Sequence, residues 1–321
     1  MSKVDWSTVN IHCSSIYSMM SDGRKKTPLQ TYREALAELE RKNVMYEKLK
    51  KKDGPKGEKL IDEIGELSIL VPKLEVFKDE ELPLSEGCKS FLAGVYATQK
   101  YGKWSQSKDI GSKQTEKGKI VEDESLGLVS VLDGVYLKKN EERVVDNWFS
   151  GHPDAFEGDD ILNAEVIHDV KSPWDIETYF SYLGKKLPDQ YYWQMQGYMA
   201  LCNAQIAYVH FCLVDTPVHL IKSAADRLLS TLDVISKESP EYLEAEETLM
   251  NNMTFSDIPR KERRIKFIVE RNDEDIELAR KRVEKCRVWL AEFENLHLNY
   301  DIPATSRNFD VNIPYEQKEP A

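Results

Sequence analysis

The chain has 321 residues, 41% apolar and 31% charged, and its 56 acidic against 44 basic residues give a net charge of −12. That length holds one large domain or two ordinary ones, with enough apolar residues for a core and a well-solvated surface. No run of eighteen apolar residues occurs, so no membrane-spanning helix is expected. The opening MSKVDWSTVN lacks the apolar stretch of a secretory signal. Five cysteines are scattered without a C-x-x-C pair, which signals neither a zinc site nor an iron–sulfur cluster and suits a reducing, cytoplasmic setting. The acidic balance argues against a surface that coats nucleic acid generally, because phosphate binding needs local cations, yet it leaves room for a basic groove on an acidic body. Basic runs at 24–26, 48–52, 138–139 and 185–186 read first as solvated faces.

In chain order, residues 28–52 have helical spacing and strong helix formers, and DGPKG at 53–57 is a turn. Helices are expected over about 57–68, over 84–100 with Ser85 as N-cap, and over 117–133, where Gly127 weakens the pattern. The texture changes between 134 and 171, where GVYLKK, RVVDNWFS and NAEVIHDVKS are short strand-like runs between polar turns. Residues 189–202 read as a helix, the apolar run 205–214 as a buried strand, 222–252 as mostly helical, and 263–270 as an alternating strand. A last helix is capped by Asn272, with Asp275 three residues on. It carries one apolar stripe of Ile276, Ala279, Val283, Cys286, Leu290 and Phe293. The segment 300–321 has no periodicity and reads as extended. No internal repeat is present. The sum is a set of helices around a small mixed sheet, an α/β or α+β core with an N-terminal helical addition.

Side chains alternate along a strand, so in AEVIHDVKS Glu165, Ile167, Asp169 and Lys171 share one face, and Val166, His168 and Val170 the other. Asp169 and Lys171 are then about 7 Å apart along the backbone. A carboxylate and an ammonium so placed can meet a common ligand: a divalent cation carrying water, held by the carboxylate, with the ammonium orienting the water or neutralising a phosphoryl oxygen. A hard cation needs more oxygens. Asp154, behind Pro153, is the second candidate, and NWFSGHPD is expected to pair with the 161–171 strand as a hairpin. Glu122 is the third, with Gly118 one turn earlier allowing close approach. The plainer alternative is an exposed cross-strand ion pair. Against it stand the apolar residues on both strand faces, the second Asp behind a Pro, and a later helix that stacks Gln194 and Tyr198 on one face. His168, on the opposite face, reads as packed, and His210 as a core or edge residue. Trp148, Trp174 and Trp193 can stack on bases but read more simply as core. No Ser–His–Asp pattern and no phosphate-binding G-x-x-x-x-G-K-[ST] loop is present.

The order Glu122, Asp154, Asp169-Val170-Lys171, Gln194-x-x-x-Tyr198 resembles the PD-(D/E)XK nuclease superfamily, and within it the YqaJ-type viral recombinases, relatives of lambda exonuclease. GKIVEDE at 118–124, HPD at 152–154, DVKSP at 169–173 and YYWQMQGYM at 191–199 carry the likeness, which covers about 117–215 well. The resemblance implies a restriction-endonuclease-like α/β core, a central mixed sheet flanked by helices, with N-terminal and C-terminal helical additions. It divides the chain into a helical region at 1–105 packed on the core, including a helical insertion at about 45–100, then the nuclease core at 106–300 and a tail at 301–321. It implies that Glu122, Asp154, Asp169 and the Val170 carbonyl bind Mg²⁺ or Mn²⁺, two ions in all. Lys171 would position or activate the attacking water, and Gln194 would steady it. HCSSIYSMMSDGRKK at 12–26 is similar to the family's DNA-end segment, which gives Ser14 and Arg24, together with Tyr198, as DNA contacts. The upstream Arg that grips a terminal 5′-phosphate has no counterpart in DWSTVN. The expected activity is 5′→3′ exonucleolytic hydrolysis of double-stranded DNA ends, leaving 3′ single strands for recombination by a single-strand annealing partner, from a homotrimeric ring. Two rivals stay open: another nuclease of the superfamily, RecB-like or endonucleolytic, and a DNA-end binding protein whose nuclease site is inactive.

Overall fold

The structure is a computed structural model that describes residues 4–21, 28–50, 52–77, 83–103, 112–137, 139–231 and 236–299. In chain order it contains β1 (Ile11–His12), α1 (Ile16–Met20), α2 (Pro28–Glu47), α3 (Pro55–Leu74), α4 (Glu86–Tyr101), α5 (Lys113–Ile120) and α6 (Glu122–Asp133). Then come β2 (Val144–Val145), β3 (Phe149–Gly151), β4 (Ala155–Glu157), β5 (Val166–Lys171), α7 (Ile176–Phe180), α8 (Asp189–Cys202) and β6 (Ile206–Cys212). The chain continues through α9 (Val218–Thr231), α10 (Pro240–Met253), β7 (Arg264–Glu270) and α11 (Asp273–Asn299). Among the described residues no helix is long and apolar enough to cross a membrane.

The central sheet has four strands in the order β4-β5-β6-β7. Its two middle strands are parallel, joined through α7 and α8, and each outer strand is antiparallel to its neighbour. Both faces are covered, as a parallel pair requires. On one face Ile167, Val209 and Phe211 pack against Met195 and Met199 of α8 and against Val283 and Leu290 of α11. On the other, Val170 and Cys212 pack against Leu126 and Val129 of α6. The expected architecture, a mixed sheet between helical layers, is the one observed. Residues at the N-terminus (Trp6, Ile11, Cys13, Ile16 and Met19) belong to the same cluster as the sheet and α11.

Local signals set most helix ends. Ser85 Oγ accepts the Cys88 amide, and Asn272 Oδ1 accepts the amides of Glu274 and Asp275, so both expected N-caps form. The expected helix 117–133 is two helices, and the break lies at Val121 rather than Gly127. Val121 leaves helical geometry at φ −100°, ψ 14°, and its side chain is buried in the cluster under α6. Burial of that side chain outweighs helix continuity there. Gly118 provides no close approach, since a Cβ there would meet nothing within 4 Å. The described residues of GVYLKK form no strand; Lys139 makes one isolated bridge to Ala155. The hairpin partner of β5 is not NWFSGHPD but the segment after Asp154. Phe149–Gly151 instead joins a second, three-stranded sheet ordered β1-β3-β2. Pro153 explains the switch: with no N–H to donate, it ends one ladder before β4 begins the next. The tail 301–321 and Arg24 lie outside the described residues.

Close packing joins the two sheets. Gly197 on α8 lies where a Cβ would come 2.5 Å from Ile16 Cδ1 and 2.9 Å from Cys13 Sγ. Gly197→Ala is therefore an overpacking change, expected to destabilise the fold by about 1–3 kcal/mol. Urea unfolding followed by tryptophan fluorescence reads this directly; an unchanged midpoint would mean that the N-terminal segment is not seated on α8.

Candidate active site

Strand β5 carries its charged residues at the end where it leaves the sheet. Asp169 is 1% exposed, between two neighbouring strands. A carboxylate so buried needs charge and hydrogen-bond partners. Lys171 Nζ lies 2.6 Å from its Oδ2, and Gln194 Nε2 donates to its Oδ1 at 3.2 Å. The Lys171 contact is an ion pair without hydrogen-bond alignment, so Oδ2 remains a buried acceptor with no hydrogen bond. Burial disfavours the Lys171 ammonium, but Asp169 and Asp154 outweigh it and raise its pKa above the usual lysine value. Lys171 is therefore a cation at neutral pH. It can donate hydrogen bonds and offset negative charge. The Tyr191 ring, its centroid 5.3 Å from Nζ, closes one side.

Asp154 reaches the same point from the Pro-Asp turn. Its Oδ2 accepts the Val170 amide at 2.7 Å, so a side chain takes up a strand amide where the β4 ladder has stopped. Asn140 holds the turn from behind: its amide donates to the Asp154 carbonyl at 2.8 Å, and its Nδ2 donates to the Pro153 carbonyl at 3.0 Å. Burial, and then the charge of Asp169, push the Asp154 carboxyl up to about 8, against the pull of Lys171 and the Val170 amide. Two carboxylates that repel in this way hold a proton between them unless a cation replaces it.

Gln194 and Tyr198 stack one turn apart on α8, as their spacing implies. Gln194 Nε2 also donates to Tyr198 Oη at 3.0 Å, and Tyr198 Oη donates to the His152 carbonyl at 3.1 Å. Tyr198 was expected among the DNA contacts, but it is 3% exposed. Its hydroxyl is a strut between Asp169's partner and the Pro-Asp turn. Ser14 is exposed and pairs with His12, its Oγ 2.8 Å from Nδ1. Although His12 is exposed, partial desolvation by its surroundings, then Arg143 and His152, hold its pKa below the usual imidazole value, so Ser14's neighbour lies close to the HPD turn.

Glu122 begins α6 near Asp154 and adds to the negative potential there. Its carboxylate is turned to Lys139, 3.2 Å away. Among the described residues no three His, Cys, Asp or Glu side chains converge closely enough to enclose a metal ion. The structure thus brings Asp154, Asp169, Lys171 and Gln194 together, and leaves Glu122 at the margin. Sequence reasoning missed Lys139 and Asn140. Lys139 ends the strand-like GVYLKK and reads as part of a solvated basic run, and Asn140 falls in the polar turn after it.

No family model and no curated protein matches the chain. A phage-related exonuclease from Haemophilus somnus 129PT matches it in structure, over 90% of this chain and 97% of that one, with a TM-score of 0.55 and 20% identity. The chain shares the fold of that structure. An alkaline exonuclease from Laribacter hongkongensis aligns over 66% of this chain and 84% of its own, with a TM-score of 0.44 and 16% identity. The same protein in complex with dAMP gives a TM-score of 0.41 and 17% identity.

The Asp154 carboxyl gives a pH signature. It titrates at about 8 in the folded protein and near 4 when unfolded, so the folded state holds the extra proton between those values. Without added cations, stability should fall as pH rises through that window. Asp154→Asn should flatten the fall, and Mg²⁺ or Mn²⁺ added at about pH 8 should raise the unfolding midpoint. Denaturant titrations in chelator across this range check it; a profile identical in the variant would show that Asp154 is not the titrating group.

Proposed function

We propose that the protein is a metal-dependent DNA exonuclease. The observation that carries this reading is the Asp169–Lys171 pair, buried at the end of β5 and joined there by Asp154 and Gln194. The donor set fits a hard divalent cation. It offers a buried Asp169 oxygen with no hydrogen bond and an Asp154 carboxyl whose negative charge is poorly compensated. Mg²⁺ is commonly held by one or two carboxylates, with water and substrate phosphate completing the shell. Asp154, Asp169 and the Val170 carbonyl would hold it, with Glu122 joining only if Lys139 releases it. Two carboxylates suit one cation better than the two ions that the motifs imply. The bound ion would supply Lewis-acid stabilisation of charge on the scissile phosphodiester.

The chain's own groups divide the remaining work. Lys171 donates to the water's oxygen or to a non-bridging phosphoryl oxygen, where negative charge grows during hydrolysis. As an ammonium paired with Asp169 it acts here as a charge stabiliser that positions the attacking water. Gln194 holds Asp169 in position, and Tyr198 passes that constraint to the Pro-Asp turn. From the motif resemblance we infer a 5′→3′ direction on duplex ends, 3′ single strands as products, a single-strand annealing partner and a homotrimer. The second reading, a DNA-end binding protein with an inactive site, has one observation in its favour: Glu122 is neutralised by Lys139 rather than gathered with the two aspartates.

Digestion of linear duplex DNA with Mg²⁺ separates these readings. The wild type should degrade 5′-phosphorylated ends, spare covalently closed circles, and lose at least roughly 10²-fold in rate on Lys171→Ala. Cleavage of closed circles would indicate an endonuclease. A wild type that binds ends but cuts nothing, or a variant that cuts equally well, would hand the function to the binding reading.

A further inference from the structure

Beside α6 lies a cleft of about 360 Å³ lined by Glu124, Leu128, Val131, Val214, Arg260 and Arg263. Arg263 is its anomaly. The residue is 9% exposed, yet its guanidinium forms no ion pair or side-chain hydrogen bond with the described residues, and its Nε is buried without a partner. Guanidinium does not lose its proton in proteins, so the charge stays. Only Nε is closed off; the rest of the guanidinium opens on the cleft, where it faces the Glu124 carboxylate and can still take a further anion.

The position is built, not loose. Arg260–Glu262 is a 3₁₀ turn after Pro259. The Arg263 amide donates to the Arg260 carbonyl at 3.1 Å, and the Leu213 amide donates to the Arg263 carbonyl at 2.8 Å. Tyr179 Oη donates to the Glu262 carbonyl at 2.9 Å. The turn opens β7 opposite the end of β6, where Cys212 pairs with Arg264. Phe211, one residue before, pairs with Lys171. The cleft therefore lies at the same end of the sheet as Lys171, two strands or about 10 Å away at the backbone, on the α6 side where Lys171 projects to the α8 side, so a strand that meets both crosses the end of the sheet.

The ligand class follows from charge and shape. Arg260 and Arg263 carry two positive charges, and the exposed Glu124 on the facing wall carries one negative charge. The balance of one positive charge suits the single charge of a phosphodiester better than the double charge of a free phosphate. The planar guanidinium fork matches two phosphate oxygens. We propose that this cleft is a backbone-phosphate subsite, in which Arg263, with Arg260 at the mouth, takes a non-scissile phosphodiester of the strand whose scissile bond lies at Lys171. The proposal rests on the nuclease reading for its substrate. It goes beyond that reading because neither Arg260 nor Arg263 belongs to the nuclease motifs.

The test is binding of a short fluorescein-labelled duplex in chelator, by anisotropy across a salt series, for wild type, Arg263→Met, Arg260→Ala and Lys171→Ala. Arg263→Met should weaken binding about tenfold and reduce the magnitude of the salt slope by about one, as expected for one lost phosphate contact. Arg260→Ala, at an exposed position where misfolding is not at issue, should shift both in the same direction by less. With Mg²⁺, both variants should raise KM more than they lower kcat, whereas Lys171→Ala should mainly lose kcat. Equal affinity and slope in Arg260→Ala and Arg263→Met would overturn the subsite, even if cleavage is intact. Inorganic phosphate that stabilises the wild type but not Arg263→Met, with duplex binding unchanged, would make the cleft a free-phosphate site and overturn the proposal equally. A wild type that binds duplex but does not cut would sink the nuclease reading and leave the subsite to be judged by its slope. A wild type that binds no duplex would sink both.

Discussion

A carboxylate held almost wholly out of water is the constraint around which this fold is arranged. Asp169 lies in the middle of a four-stranded sheet, where a charge is tolerable only if opposite charge and hydrogen-bond donors are brought to it. Lys171 comes from the same strand, two residues on. Gln194 comes from α8, which must lie across that face at the right height. Neither partner fully satisfies the carboxylate, since one oxygen keeps no hydrogen bond. That residual demand separates a site from a structural ion pair: a fully compensated pair has nothing left to offer a ligand.

The other face of β5 is treated differently. His168 contacts Glu157 of β4 at 2.8 Å and His210 of β6 at 3.1 Å. Its ring is fully buried, stacked on His210 with the planes 4° apart. Burial lowers the pKa of both imidazoles, that of His210 to about 3, so both are neutral at neutral pH. They tie the strand to its two neighbours without adding charge behind Asp169. One face thus fixes the strand, and the other leaves its charges partly unpaired. The alternation of the β-strand makes both possible within six residues.

Rigidity reaches the second carboxylate through small residues and one tyrosine. Gly151 and Gly197 let Cys13, Ile16 and Tyr198 close on one another. Tyr198, pinned in that contact, donates a hydrogen bond to the His152 carbonyl, two residues before Asp154. The N-terminal segment is therefore part of the site's support, although it supplies neither carboxylate. Asn140 completes the support from the opposite side of the turn. None of these contacts is local in sequence.

The sequence by itself determined what depends on neighbours along the chain. Strand alternation put Asp169 and Lys171 on one face, and helical spacing stacked Gln194 over Tyr198. Ser85 and Asn272 set helix starts, and the 276–293 stripe found its place in the core because one periodic face has one way to be buried. The packed role of His168 was legible for the same reason. Only the tertiary structure decided the rest, because it turns on which distant groups compete for the same space and charge. Val121 breaks a helix because its side chain is drawn into a core formed by other segments. NWFSGHPD pairs with the N-terminus because Pro153 cannot carry one ladder through to the next. Tyr198 is withdrawn from any surface by Gln194 and the His152 carbonyl. Lys139 holds Glu122, an ion pair across sixteen residues of turn and helix that no spacing rule announces. Arg263 shows the same limit from the other side: in RKERRIKF it is one basic residue among several, and only burial without a partner marks it out.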